Sequence, residues 1–176
     1  MMGFGAGTVL NITGCTYTGK GDGDWLDYGV EAGGGAQVAI ADSTFTACTG
    51  VASSDGSTSA GIMGTTYYGP GTTLDVTGCT ITGCTTGVVV GYDGSDTTAA
   101  TINENKIYGN TSAGVDSSGP QVDAANNWWG DMDPSDDVIG NVTYYPIYTD
   151  ETMTELYAPV ENVTQATYYE TLQACL

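Results

Sequence analysis

Apolar and polar residues alternate in short runs along most of this chain, as in Leu10-Asn11-Ile12-Thr13 and Leu74-Asp75-Val76-Thr77. A period of two is that of a strand with one buried face. The runs also recur in register. Taking Ile12, Ile40, Val76 and Ile102 as anchors, with a variant at Ala124, the steps are 28, 36, 26 and 22 residues. A small or polar residue follows each anchor at plus three (Cys15, Ser43, Cys79, Asn105, Asn127), and a large apolar one at plus five (Tyr17, Phe45, Ile81, Ile107, Trp129). Cys48, Cys84 and Asn110 hold plus eight, and a Gly-Val pair closes the unit at Gly50-Val51, Gly87-Val88 and Gly114-Val115. Thr, Val, Ile and Tyr fill the runs, while Gly, Asn, Asp and Ser mark the corners. The spacing predicts a solenoid in which two short strands meet at the plus-three corner and the Gly-Val pair starts a third. Leu10, Ile12, Tyr17, Val38, Ile40, Phe45, Leu74, Val76 and Ile81 are expected to point inward, with Val88-Val89-Val90 forming a further strand.

The run Val122-Asp123-Ala124-Ala125-Asn126-Asn127-Trp128-Trp129-Gly130 is followed by an acidic loop and Gly140-Asn141-Val142-Thr143-Tyr144-Tyr145-Pro146. With the repeats before it, this ending resembles the closing coil of right-handed parallel β-helix proteins, the fold of pectate lyases and of archaeal and bacterial cell-surface repeat proteins. The resemblance covers roughly residues 6 to 148 and implies an all-β chain: a right-handed, single-stranded parallel β-helix of about five to six coils. The expected division is a β-helix domain over 1–148 and a non-repeat tail over 149–176 that caps the column or grips a neighbouring subunit. In the tail, Asn162 either caps a short helix or the segment stays extended. Such a likeness specifies a fold better than an activity.

Charge narrows the partners. Twenty-one acidic residues stand against two lysines, Lys20 and Lys106, with no histidine and a net charge of -19. Nucleic acid is excluded as a partner, since its phosphates must be neutralised by Lys and Arg. No run reaches the ~20 apolar residues of a membrane-spanning helix, so no membrane insertion is expected. The low-charge, Thr- and Gly-rich remainder points to an extracellular or cell-surface location. Four Asn-X-Ser/Thr sequons, at Asn11, Asn110, Asn141 and Asn162, are candidate glycosylation sites.

Asp131, Asp133, Asp136 and Asp137 form the densest carboxylate cluster and are the candidate cation loop, with Ca²⁺ as the ion that oxygen ligands would suit. The corner Asp22-Gly23-Asp24-Trp25-Leu26-Asp27 reads as a solvated turn, with a calcium loop as its alternative. Tyr67, Tyr68 and Trp128 are candidate binding aromatics; packing of the tyrosine pair over the side of the solenoid is the competing use. Cys48 and Cys84 share plus eight in successive units, so a disulfide between them is feasible. Cys15 and Cys79 share plus three, but Ser43 lies between them, which places them about two strand spacings apart and unable to bond. Cys175 is then left as an odd thiol. Asn105 and Asn110 are read as structural corner residues that tolerate left-handed backbone.

Three function classes follow. A lyase would need a cationic base, which this composition hardly supplies; a carboxylate-only glycoside hydrolase needs two facing acids, for which Asp42, Asp75 and Glu104 lie near equivalent positions. A carbohydrate- or surface-binding adhesin would use the aromatics. The leading expectation is a non-enzymatic structural protein of a cell envelope, sheath or filament. Its repeats start without an evident polar cap, and open strand edges stacked head to tail make rings or fibres of the same chain.

Overall fold

The computed structural model describes residues 1–23, 25–51, 58–162 and 167–169. Among them there is no α-helix; the chain is all-β, with parallel strands wound around an axis in a nearly closed arrangement. Strands β1 (Met2–Phe4), β2 (Val9–Thr13) and β3 (Thr16–Thr18) are followed by β4 (Tyr28–Gly33), β5 (Gln37–Ala41), β6 (Thr44–Thr46) and β7 (Ala60–Thr65). Next come β8 (Thr73–Thr77), β9 (Thr80–Thr82), β10 (Thr86–Val90), β11 (Ala99–Asn103), β12 (Lys106–Tyr108) and the long β13 (Ala113–Asp123). After a 3-10 turn at Pro134–Asp136, the described chain ends with β14 (Val138–Thr143), β15 (Ile147–Tyr148), β16 (Leu156–Tyr157), β17 (Val160–Asn162) and β18 (Thr167–Tyr169).

Every third strand pairs, always in parallel, which makes three stacks. The first runs β1-β4-β7-β10, the second β2-β5-β8-β11 and the third β3-β6-β9-β12. β13 pairs with β10 through its first half and with β11 at its end, so it turns the corner from the first stack to the second, and β14 follows it. This arrangement is compatible with a parallel β-helix.

The anchors align as their spacing predicts. Ile12, Ile40, Val76 and Ile102 are consecutive Cα partners, as are Tyr17, Phe45, Ile81 and Ile107. All are buried except Tyr17, which belongs to the first turn of chain and lacks a covering neighbour, as Leu10 does. The third inward column, Val30, Ile62, Val88 and Val115, is wholly buried.

Two expectations need correction. The Gly-Val place in the second unit belongs to Gly61-Ile62, which pairs with Gly87-Val88; Val51 is exposed and bridges Thr58 instead. The reason lies in the column Gly29, Gly61, Gly87 and Gly114, whose absent side chains leave room for Phe45, Ile81 and Ile107 and for neighbouring carbonyls. The second correction concerns the plus-three corner. Left-handed backbone falls one residue earlier than Asn105, on the column Gly14, Asp42, Gly78, Glu104 and Asn126, with φ of 64°, 48°, 63°, 62° and 55°.

Asn105 satisfies the corner through its side chain. Its Oδ1 accepts from Cys79 N–H at 2.8 Å, and its Nδ2 donates to the carbonyls of Val76 and Asn103, both at 2.9 Å. Asn127 repeats this one turn on, accepting from Asn105 N–H at 2.8 Å. Asn110 does the same at plus eight, accepting from Cys84 N–H at 3.0 Å. In the tail, Asn162 lies in β17, so of its two expected forms the described part takes the extended one.

Candidate functional site

The strand order leaves β1, β2 and β3 as edges at the same end of the molecule, each bonded to the chain on one side only. Among the described residues none covers their outer sides. Met2, at 69 % exposure, and Val9 lie along this end, and Leu10 and Tyr17 are only part-buried although they face the core. Parallel winding produces this end directly: among the described residues no further turn pairs with β1, β2 and β3, so one side of each strand presents backbone groups without a ladder partner.

At the opposite end β14 is the outer strand of the first and second stacks, with Ile139 45 % exposed. On the third stack, β15 continues beside Asn127 and is covered by β16 in antiparallel pairing. The acidic loop lies beside β14. Here Asp131 Oδ1 accepts from Asp133 N–H, and Asp133 caps the 3-10 turn by accepting from Ser135 N–H and its hydroxyl. Burial, with Asp136, Asp131 and Asp133 adding repulsion, pushes the Asp137 carboxyl up to about 6. Asp131 and Asp133 thus serve the turn's own backbone, and among the described residues no three Cys, Asp or Glu side chains converge in a way that could hold a metal ion.

A row of aromatic rings crosses the corner between the first and second stacks. Phe4 and Tyr68 have ring centroids 5.2 Å apart, Tyr68 and Tyr67 5.1 Å, and Tyr67 and Tyr92 5.0 Å, all edge to face. Tyr67 and Tyr68 are 64 % and 60 % exposed, and Tyr68 lies close over Gly33 and Gly34 while keeping most of its ring open. Trp128 does not join them; it is half-buried on the third stack, with its ring 4.9 Å from Tyr108. Tyr92 carries no repeat signal, and only its loop's position one turn after Tyr67 would have revealed it.

The acids considered for hydrolysis are also separated. Asp42 and Glu104 occupy the left-handed corner column, and Glu104 accepts from Tyr148 Oη at 2.5 Å. Asp75 faces outward from β8, in one row with Thr101 and Asp123. Asp123, with Thr101, Gln121, Thr143 and Tyr145, lines an open groove of about 600 Å³ on the second stack. Its alternation marks it as outward, but nothing in the sequence singles it out.

No protein-family model, curated protein or solved structure matches this chain. The geometry alone therefore carries the functional reading.

Three internal polar clusters fasten the turns to one another. Asp27, expected in a solvated corner, is buried and accepts from Tyr17 Oη and Lys20 N–H, both at 2.5 Å, while its own N–H donates to Ser59 Oγ at 2.7 Å. The hydrogen bond to Asp27 holds the Tyr17 phenol up at about 12. Asp96 is likewise buried and accepts from the hydroxyls of Thr65 and Thr98 and the backbone N–H groups of Thr66 and Thr98, at 2.6 to 2.9 Å. Burial alone would raise its carboxyl, yet these four donors outweigh it and hold the group below the usual range.

Cys48 and Cys84 form the third cluster. They are buried free thiols at one position of adjacent turns, with Thr85 N–H donating to Cys48 O at 2.9 Å. Contact with the Cys84 thiol, then burial, pushes the Cys48 thiol up. Cys79 is buried in the plus-three ladder, and Cys175 lies outside the described residues.

Of the sequons, Asn11 and Asn141 are exposed, whereas Asn110 Nδ2 is engaged by the Ile81 carbonyl at 3.2 Å. The side chain of Asn162 lies outside the described residues.

Proposed function

We propose that this chain is a right-handed parallel β-helix of about five to six coils that serves as a non-enzymatic building block of an extracellular assembly, such as a cell envelope, sheath or filament. The observation that carries the reading is the end formed by β1, β2 and β3, where three strand edges lie together with no described residue over them. Unpaired edges are templates for another chain, and folds that remain monomeric cover, twist or charge them. Among the described residues nothing covers these edges, and residues 1–21 supply a single charged side chain, Lys20. Light scattering and negative-stain electron microscopy across a concentration series test this. Assemblies well above the 18.0 kDa of one chain are expected; a monomer at every concentration and salt would remove the proposal.

The aromatic row favours a second reading, a carbohydrate- or surface-binding adhesin. Tyr67, Tyr68 and Tyr92 offer apolar edges with polar tips, a combination suited to sugar surfaces. Replacing all three by Ala would then abolish retention on a glycan array while leaving the melting curve nearly unchanged, and unaltered retention would dismiss it.

A further inference from the structure

We infer that copies of this chain join end to end in one direction, with β14 of one copy taking β1 and β2 of the next, in a register that sets Ile139 beside Met2 and Val142 beside Leu10. The inference rests on the building-block reading and adds to it the partner strand, the polarity and the register.

The columns themselves supply the register. On the first stack, Met2, Glu31, Met63, Val89, Asp116 and Ile139 are successive Cα partners. The row therefore begins and ends on an exposed apolar side chain, and stacking a second copy brings those two ends together. On the second stack, the inward row runs from Leu10 through Val38, Leu74 and Ala100 to Val122 and Val142. Leu10 and Val142, the two ends of the row, are part-buried, as is Ala100 within it, and at the ends each is what the other lacks.

The turn between strands also matches. β13 reaches from Ser117 to Val122 while β14 covers the same corner from Gly140 to Val142, so an excursion of β13 already lies opposite the single Asn141. The Gly5-Ala6-Gly7-Thr8 turn between β1 and β2 would be a second such excursion on the other side of β14.

Polarity follows from direction and charge. The pairings that build the three stacks are parallel, and a next copy in the same sense continues them, whereas joining like ends would force antiparallel pairing. Residues 131–155 contain seven acids and no base, whereas residues 1–21 contain Lys20 and no acid. Two acidic ends repel one another; an acidic end against the first coil does not. A contact of this kind joins unlike surfaces and yields rings or open fibres rather than closed dimers.

The third stack holds a brake. β16 lies antiparallel on β15, in the place that β3 of the next copy would take. It is held there by two ladder pairs, by Thr149 N–H donating to the Glu155 carbonyl at 3.0 Å and by the Tyr157 ring against Tyr145, while Leu156 is exposed, and it must yield for all three stacks to continue.

Cysteine cross-linking of the full chain tests the inference. A Met2→Cys/Ile139→Cys double variant, oxidised with glutathione disulfide under assembly conditions, is expected to give a covalent ladder of dimers, trimers and longer species. Each single variant should give no more than the wild-type background. Both positions are exposed, so folding is not at issue. Leu156→Pro, which disrupts β16, should lower the concentration needed for assembly by about tenfold, the loss of roughly one to two net hydrogen bonds. Assemblies that form without the ladder, or dimers from either single variant, would overturn the polarity and register while leaving the building-block reading standing. A protein that stays monomeric in light scattering would overturn both.

Discussion

The glycine column makes a sharp prediction at Gly87. A β-carbon added there would sit 2.4 Å from the Gly114 carbonyl oxygen, 3.1 Å from Asn110 Nδ2 and 3.2 Å from Ile107 Cγ2. The first contact is with backbone of the next strand, which has no rotamer to change, so β10 and β13 must part locally. Overpacking of this kind costs about 1–3 kcal/mol, and each weakened ladder bond adds about 1 kcal/mol. Against this, alanine restricts the unfolded chain and returns about 0.4–1 kcal/mol. The net expectation for Gly87→Ala is a loss of about 2–3 kcal/mol, read as a fall of about 4–12 °C in Tm for a chain of this size. Gly94 is the internal control, because a β-carbon there meets no atom within 4 Å; Gly94→Ala should melt with the wild type. Thermal and urea unfolding followed by circular dichroism measure both. Equal melting of the two variants would mean that the first stack is not packed as described, and would refute the explanation of the column.

Three further outcomes are expected. Ala47 has φ of 58° where the next two turns place Gly83 and Gly109, so Ala47→Gly should relieve left-handed strain and raise stability by about 0.5–1 kcal/mol in urea unfolding; a loss would show that the turn is set by its neighbours. For Asp96 the folded carboxyl lies below its unfolded value, so its contribution is present above pH ~3.9 and is lost as pH falls through the lower folded value. Asp96→Ala should therefore cost about 2–3 kcal/mol at pH 7, because four donors lose their acceptor, and much less in strong acid; a gap that is the same at both pH values would show that the charge is not its source. Glutathione disulfide should convert Cys48 and Cys84 to a disulfide with two equivalents of reduced glutathione released, stabilising the chain by about 4 kcal/mol, since the two cysteines lie 36 positions apart. Mass spectrometry that finds both thiols still alkylatable after oxidation would dismiss it.

The repeat was legible because its columns obey strict chemistry. An inward Ile or Val at the first four anchors and a large apolar or aromatic residue at plus five leave little choice of register once one pair is aligned. Reading failed where the repeat is interrupted. Gly50-Val51 copies the closing pair in an excursion, while Gly61-Ile62, eleven residues later, does the packing. Asp27 and Asp96 look like solvated corner acids because the groups that bury them come from elsewhere: Ser59 lies 32 residues from Asp27, and Thr65 lies 31 from Asp96. Likewise Asp42, Glu104 and Ala47 disguise backbone conformations that glycine marks openly at Gly14, Gly78 and Gly83. The free edges were half legible: the repeats begin early in the chain, but that three edges share one end, and that β16 covers only the third stack at the other, emerges from pairing alone.

Charge sets the conditions under which end-to-end joining can be seen. The first stack holds six strands, β1, β4, β7, β10, β13 and β14, so joined copies repeat about every 29 Å at the usual strand spacing. Each copy carries a net charge of -19. At 0.01 M salt the screening length is about 30 Å, so whole copies repel one another along the column; at 0.15 M it is about 8 Å, and only groups at the junction still interact. The junction itself sets Lys20 and the acid-free residues 1–21 against the acidic end, an attraction of shorter reach. Assembly should therefore strengthen between 0.01 and 0.15 M salt and change little beyond, since backbone pairing and the Met2, Leu10, Ile139 and Val142 contacts are not ionic. Light scattering at fixed protein concentration follows this directly. A steady decline from the lowest salt upward would mean that local charge attraction, rather than strand pairing at the open edges, holds the copies together.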